Sequence, residues 1–379
     1  MKKILAVVLS LALLTGALAG CGGDTKGTDG AAAVGSTENS TAAANPAGQE
    51  TAGENGEEPF RVCLIVALLG TRSFADFAYD GCQKAVEDFG IELTVSECED
   101  TSLYENQLLT ACEEGYDLII CGASQWKDYI ANHAAEYPDT LFGISDTRLE
   151  GIPNVFSITF AQNQGSFLTG ALSAMFTEMT EFENVNEETV IGWVGGTDIP
   201  ALRDFYTGFE EGAKYINPDI TILQSFAGDM QDAVKGKELT LAMYQQGADI
   251  VCNVAGNTGL GVLEAAAQSG YYAIGVDKNQ DDVQPGSVVT SMLKSNETAT
   301  YYMIENAVKG TYPGGQHLYL DLAYGGVGLT DFSVFREYAC KTEEQQKRLD
   351  EILVKLQELE DKIVSGEIVV SNYEGYGPN

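Results

Sequence analysis

The sequence predicts an α/β protein of two Rossmann-like lobes with parallel sheets joined by a hinge. Three observations carry that expectation. Short apolar runs alternate with amphipathic stretches through most of the chain. The runs fall into two similar sets, and the part that can fold, about 320 residues from Phe60 onward, is too long for one comfortable core. Alternation of strand and crossover helix makes the strands parallel, and two sets make two sheets.

The chain begins with Met1, Lys2 and Lys3 ahead of the apolar stretch ILAVVLSLALLTGALA. That stretch is too short for a membrane span and ends in small residues, as a secretory signal peptide does. Its end, Leu18-Ala19-Gly20-Cys21, is similar to the bacterial lipobox, in which the cysteine receives a diacylglycerol and becomes the first residue after cleavage. Residues 1–20 are therefore expected to be a lipoprotein signal peptide and Cys21 the lipidated residue. Two acyl chains, at roughly 0.8 kcal/mol per buried methylene, hold a protein on a membrane face without a spanning helix. From Gly22 to Pro59 the only Val, Leu, Ile or aromatic residue is Val34. Such a stretch buries too little surface to offset its ordering entropy, so residues 21–59 are expected to be a flexible tether reaching about 30 Å.

From Phe60 the first set of strand-like runs is RVCLIVA, IELTVSE, DLIIC, LFGIS and VFSITF, with helices expected near 74–89, 102–114 and 126–136. The second set is VIGWVG, ITILQSF, ADIVCNVA, YAIGV and SVVTSML, with helices expected near 201–215, 231–246 and 259–268. The run KTEEQQKRLDEILVKLQELEDKIVSGEIVV predicts a charged amphipathic helix ending at Ser365-Gly366, then a short strand. Its stripe of Leu349, Ile352, Leu353, Leu356 and Leu359 is expected to pack on a lobe.

Composition narrows the function. The formal charge of −35 becomes −37 once Lys2 and Lys3 leave with the signal, which argues against nucleic acid or anionic lipid as a partner. Seven cysteines remain beside Cys21. Cys63, Cys121 and Cys252 lie in apolar runs as small hydrophobes, while Cys82, Cys98, Cys112 and Cys340 are either disulfide partners or free thiols. No pair has zinc-site spacing, and His133 and His317 are far apart and read as structural. Neither a nucleophile–base arrangement nor a metal cluster can be assembled, so no cofactor and no enzyme chemistry is expected.

Ligands of such sheets bind beyond the carboxyl ends of the strands. There lie GGTDIPALRDFYTGF, GNTGLGVLEAA, DKNQ and LKS, and, behind the first strand, TRSFADFAYDG with three aromatics. With NVFSITFAQNQGSFLTGALSAM and KGKELTLAMYQQGADIV, these segments resemble, in order and spacing, the basic membrane protein family of bacterial lipoproteins. That family is similar to type I periplasmic-binding proteins and includes purine nucleoside receptors that feed ABC transporters. The resemblance implies residues 60–160 plus about 295–324 in one lobe, 161–294 plus about 325–379 in the other, three hinge crossings and a nucleoside clamped between. It implies a monomer on the outer face of the cell membrane, with permease subunits as partners.

Taken position by position, the resemblance implies that Phe74 and Phe205 sandwich a flat base, with Ser73 and Asp76 beside Phe74 in the same loop. Asp277 and Lys294 would hold a ribose, Gly256 would let backbone approach the sugar, and Trp126 with Asp128 would line the pocket or pack in the core. Family members commonly carry an Asp and an Asn where this chain has Thr71 and Ala75. Both lost groups are of the kind that reads a base edge, so base choice stays open between purine and other nucleosides. Two other readings share the sequence. A sensory protein without transport would use the same cleft. GNTGLG followed by Asp277 imitates a dinucleotide-binding loop, but its Gly-x-x-Gly-x-Gly spacing is not the usual one for an NAD-dependent oxidoreductase.

Overall fold

A computed structural model describes residues 58–70, 74–374 and 376–377. The signal segment, Cys21, nearly all of the tether, Thr71 and Ser73 lie outside the described residues. Strand β1 (Arg61–Val66) leads to α1 (Phe74–Phe89), β2 (Glu92–Glu97), α2 (Tyr104–Glu113), β3 (Leu118–Cys121), α3 (Lys127–His133), β4 (Leu141–Ser145) and β5 (Val155–Phe160). After α4 (Gln162–Phe176) the pattern resumes with β6 (Val190–Gly195), α5 (Pro200–Ile216), β7 (Thr221–Phe226), α6 (Ala233–Gln245) and β8 (Ile250–Val254). Then come α7 (Thr258–Ser269), β9 (Tyr272–Asp277), β10 (Val288–Lys294), α8 (Asn296–Val308), β11 (His317–Leu320) and β12 (Val327–Leu329). Helices α9 (Ser333–Ala339) and α10 (Glu343–Val364) follow.

The strands form two six-stranded sheets, ordered β11-β5-β4-β3-β1-β2 and β12-β10-β9-β8-β6-β7. Every neighbouring pair is parallel except β10 with β12. The central runs, such as LIIC of β3 and IVCNV of β8, are buried throughout, as strands covered on both faces must be. Edge strands β2 and β7 keep only partial burial. The chain passes between the sheets after β5, after β10 and after β11.

Helix α5 shows why a stripe folds this way. Pro200 supplies the fixed φ of a first turn, and Leu202, Phe205, Phe209 and Ala213 point inward at helical spacing. Its inner side meets α4 at backbone distance: a Cβ on Gly208 or Gly212 would lie 2.0 or 1.9 Å from the carbonyl oxygens of Asn163 and Phe167. Helix α4 is buried nearly all round, which is why it shows no amphipathic period.

Helix α10 starts in a capping box between Thr342 and Gln345 and buries Leu349, Ile352, Leu356, Leu359 and Ile363. The short strand expected after Gly366 does not form. Its carbonyls at Val370 and Ser371 accept from the side chain of Asn163 instead of a neighbouring strand. The seven described cysteines are all buried and unbonded, so the disulfide alternative falls away. His317 Nε2 lies 2.7 Å from Thr159 Oγ1, and His133 Nε2 2.8 Å from Glu105. Among the described residues no helix is long and apolar enough to cross a membrane.

Candidate functional site

Both sheets contribute strand ends to one cavity of about 790 Å³. From the first sheet come Phe74 behind β1, Glu99 and Thr101 behind β2, Ser124 to Trp126 behind β3, and Asp146 behind β4. From the second come Thr197 and Phe205 behind β6, Met230 and Gln231 behind β7, and Gly256 and Asn257 behind β8. Asp277 and Lys294 end β9 and β10 at the same cavity. Asp146, Gly256 and Asp277 take left-handed backbone, with φ of 65°, 57° and 66°. Two non-glycine residues in that region at the ends of two strands mark a place where the fold over-determines geometry for the sake of the site.

Lys294 is only 2 % exposed. Its Nζ donates to Asp146 Oδ1 at 2.6 Å and lies 4.8, 5.4 and 5.1 Å from the ring centroids of Phe74, Phe160 and Phe205. One ion pair and three aromatic faces thus compensate the buried ammonium. Phe74 and Phe205 are each about 5 Å from the same nitrogen, so their centroids are no more than about 10 Å apart. Phe74 is braced in turn by Phe160, edge to face at 5.8 Å.

The ionic partner of Lys294 is Asp146 and not, as the strand-end order suggests, Asp277. The Asp277 carboxylate accepts no hydrogen bond from the described residues. Burial pushes its pKa up to about 6, the Lys294 charge draws it down and the Asp146 charge raises it.

Of the residues expected at the site, Phe74, Trp126, Phe205, Gly256, Asp277 and Lys294 line this cavity. Asp76 does not; its carboxylate caps the preceding loop by accepting from Gly70 N at 2.7 Å. Asp128 is exposed on α3, away from the cavity. Trp126 both lines the cavity and packs, stacked on Tyr104 at 4.0 Å and 13°. Two of the aromatics behind β1 have other work: Phe77 lies 5.5 Å from the Lys278 ammonium, which pairs with Asp80 of α1, and Tyr79 packs half-buried against the core. Asp146 is the residue that sequence reasoning passed over. It follows an apolar strand as Asp277 does, and the same strand-end rule finds it.

Two doubly wound sheets that meet a cavity at the carboxyl ends of their strands define a solute-binding protein of the type I periplasmic kind. The chain belongs to the family of PnrA-like ABC transporter substrate-binding proteins, whose family model matches residues 62–374. It is 32% identical to basic membrane protein A of Borreliella burgdorferi over 86% of this chain and 91% of that one. It is 28% identical to the CD4+ T-cell-stimulating antigen of Listeria monocytogenes, over 82% of this chain and 88% of that one. A solved ABC transporter solute-binding protein from Aeropyrum pernix K1 has a TM-score of 0.71 at 26% identity, covering 83% of this chain and 94% of that one. GNTGLG opens α7 at this cavity, its Gly256 and Asn257 on the wall.

Proposed function

We propose that this chain is the nucleoside receptor of an ABC transporter, anchored through Cys21 on the outer face of the cell membrane and acting as a monomer that hands its ligand to permease subunits. One observation carries the ligand reading: among the described residues the Asp277 carboxylate sits in the cavity wall without a hydrogen-bond donor, near an ammonium that two phenylalanine faces flank. A half-buried carboxylate that faces a cavity and has no protein donor invites donors from a ligand, and two vicinal ribose hydroxyls supply them. The rings of Phe74 and Phe205 supply flat apolar surface for a base. The resemblance to purine nucleoside receptors favours a purine, and the methyl of Ala75 on the cavity wall leaves the base edge loosely read.

Mass spectrometry of material released from the purified, denatured protein identifies the ligand. Calorimetry with adenosine, guanosine, inosine, cytidine and uridine, and with 2′,3′-dideoxyadenosine, then tests the grip. Ribonucleosides are expected to bind well and the dideoxy analogue poorly; equal affinities overturn the sugar assignment. Phe74→Ala is expected to weaken all five by a similar factor, about tenfold, since stacking at about 1–3 kcal/mol per base tolerates any base. Cys21→Ser is expected to move the protein from the membrane to the soluble fraction, and a variant that stays bound overturns the anchor.

A further inference from the structure

Chain termini are ordinarily loose unless something ties them down. Here the segment behind α10 is tied at residues 370–373 and again at Tyr376. Asn163 Nδ2 of α4 donates to Val370 O and Ser371 O at 3.1 and 3.2 Å. Ser371 N donates to Glu211 of α5 at 2.9 Å, and Tyr373 N to Asp204 Oδ1 of α5 at 2.7 Å. Asn372 Nδ2 reaches Asp204 at 3.3 Å and, from the other sheet, the Tyr319 hydroxyl of β11 at 3.4 Å. Finally the Tyr376 hydroxyl donates to Asp146 Oδ1 at 2.9 Å. The segment therefore holds elements of both sheets at once.

Two of its three acidic anchors adjoin the cavity, Asp146 on the wall itself and Asp204 beside a wall residue. Asp204 precedes Phe205, and Asp146 is the partner of Lys294. The same oxygen, Asp146 Oδ1, takes both the Lys294 ammonium and the Tyr376 hydroxyl. A carboxylate oxygen with two donors holds each less tightly and in a narrower direction than one with a single donor. Tyr376 itself does not line the cavity, so it acts through Asp146.

We propose that residues 370–374 together with Tyr376 are a strap across the two lobes, and that Tyr376 is a positioning residue. By sharing Asp146 Oδ1 it sets where the Lys294 ammonium points, and so how well the site takes a ligand hydroxyl. This rests on the nucleoside reading for its ligand but not for its geometry.

Tyr376→Phe keeps the ring and removes only the hydroxyl. Adenosine is expected to bind about tenfold more weakly, the worth of one charge-assisted hydrogen bond, while 2′,3′-dideoxyadenosine keeps its affinity. A general loosening of the fold would weaken both equally, and that result, or no change in either, overturns the positioning role. A second arm needs no ligand. In the full chain, spin labels on exposed Glu113→Cys and Glu238→Cys report the distance between the lobes. Asn372→Ala combined with Tyr376→Phe is expected to broaden that distribution, and an unchanged one overturns the strap. If the parent protein binds no nucleoside the ligand reading fails, and this arm alone decides the strap.

Discussion

Lys294 and Asp146 form an ion pair that spans the cleft: the ammonium ends β10 of one sheet, the carboxylate follows β4 of the other, and they stand 2.6 Å apart. Lys294 is nearly inaccessible and Asp146 largely so, with side-chain exposures of 3% and 15%. Charge at this depth is tolerated only because it is matched.

Asp146→Asn is therefore expected to cost about 3 kcal/mol of stability, because it strands a buried ammonium. Urea unfolding measures the loss. Adding Lys294→Met to Asp146→Asn is expected to restore part of it, since the uncompensated charge is then gone. A double variant less stable than Asp146→Asn alone contradicts this account of the pair.

Asp277 gives the site a pH dependence of known sign. Its pKa is raised from 3.8 to about 6 by burial, so between those values the folded chain holds a proton that the unfolded chain has released. Stability contributed by this group is present at low pH and declines as pH rises toward 6, and Asp204 and Asp249, raised to about 6 for the same reason, act in the same direction. Binding runs the opposite way, because ligand hydroxyls need the carboxylate as acceptor. Adenosine affinity is expected to fall about tenfold per pH unit below about 6 and to level off above it. Calorimetry across pH 4.5 to 7.5 measures it, and Asp277→Asn is expected to bind weakly with that limb absent.

Gly212→Ala is expected to destabilise the protein by at least about 2–3 kcal/mol, because its Cβ would have to displace the Phe167 carbonyl from 1.9 Å. Gly328→Ala in β12 meets nothing within 4 Å and is expected to stay within about 0.5 kcal/mol of the parent. Thermal unfolding of the two compares a closed seam with an open position.

Much of the architecture was legible because it is written in short-range pattern. Buried runs such as VCLIV and IVCNV have few other conformations that cover both faces, and α5 carries a full helical stripe. Helix α4 carries no period because Gly165, Ala171 and Ala174 are packed on every side. The run around His317 is strand-like and forms β11, but VGL is too short to announce β12, and the pairing partners of β11 and β12, β5 and β10, are not written locally in either run. At the site, strand-end position was enough to find Asp277 and Lys294. It was not enough to pair Lys294, because adjacency of β9 and β10 suggests Asp277 while the true partner arrives from the opposite sheet 148 residues earlier. Tyr376 had no local signal at all.

The seven unbonded cysteines also decide how this protein meets reagents. Burial pushes Cys63 and Cys252 up to about 12 and Cys112 to about 11, and raises the other four as well. Thiolates are what alkylating dyes and oxidants attack, and the native fold offers them neither ionisation nor access. A maleimide probe added to the folded protein is thus a stopwatch for unfolding: each sulfur it captures records an excursion of that part of the core into water.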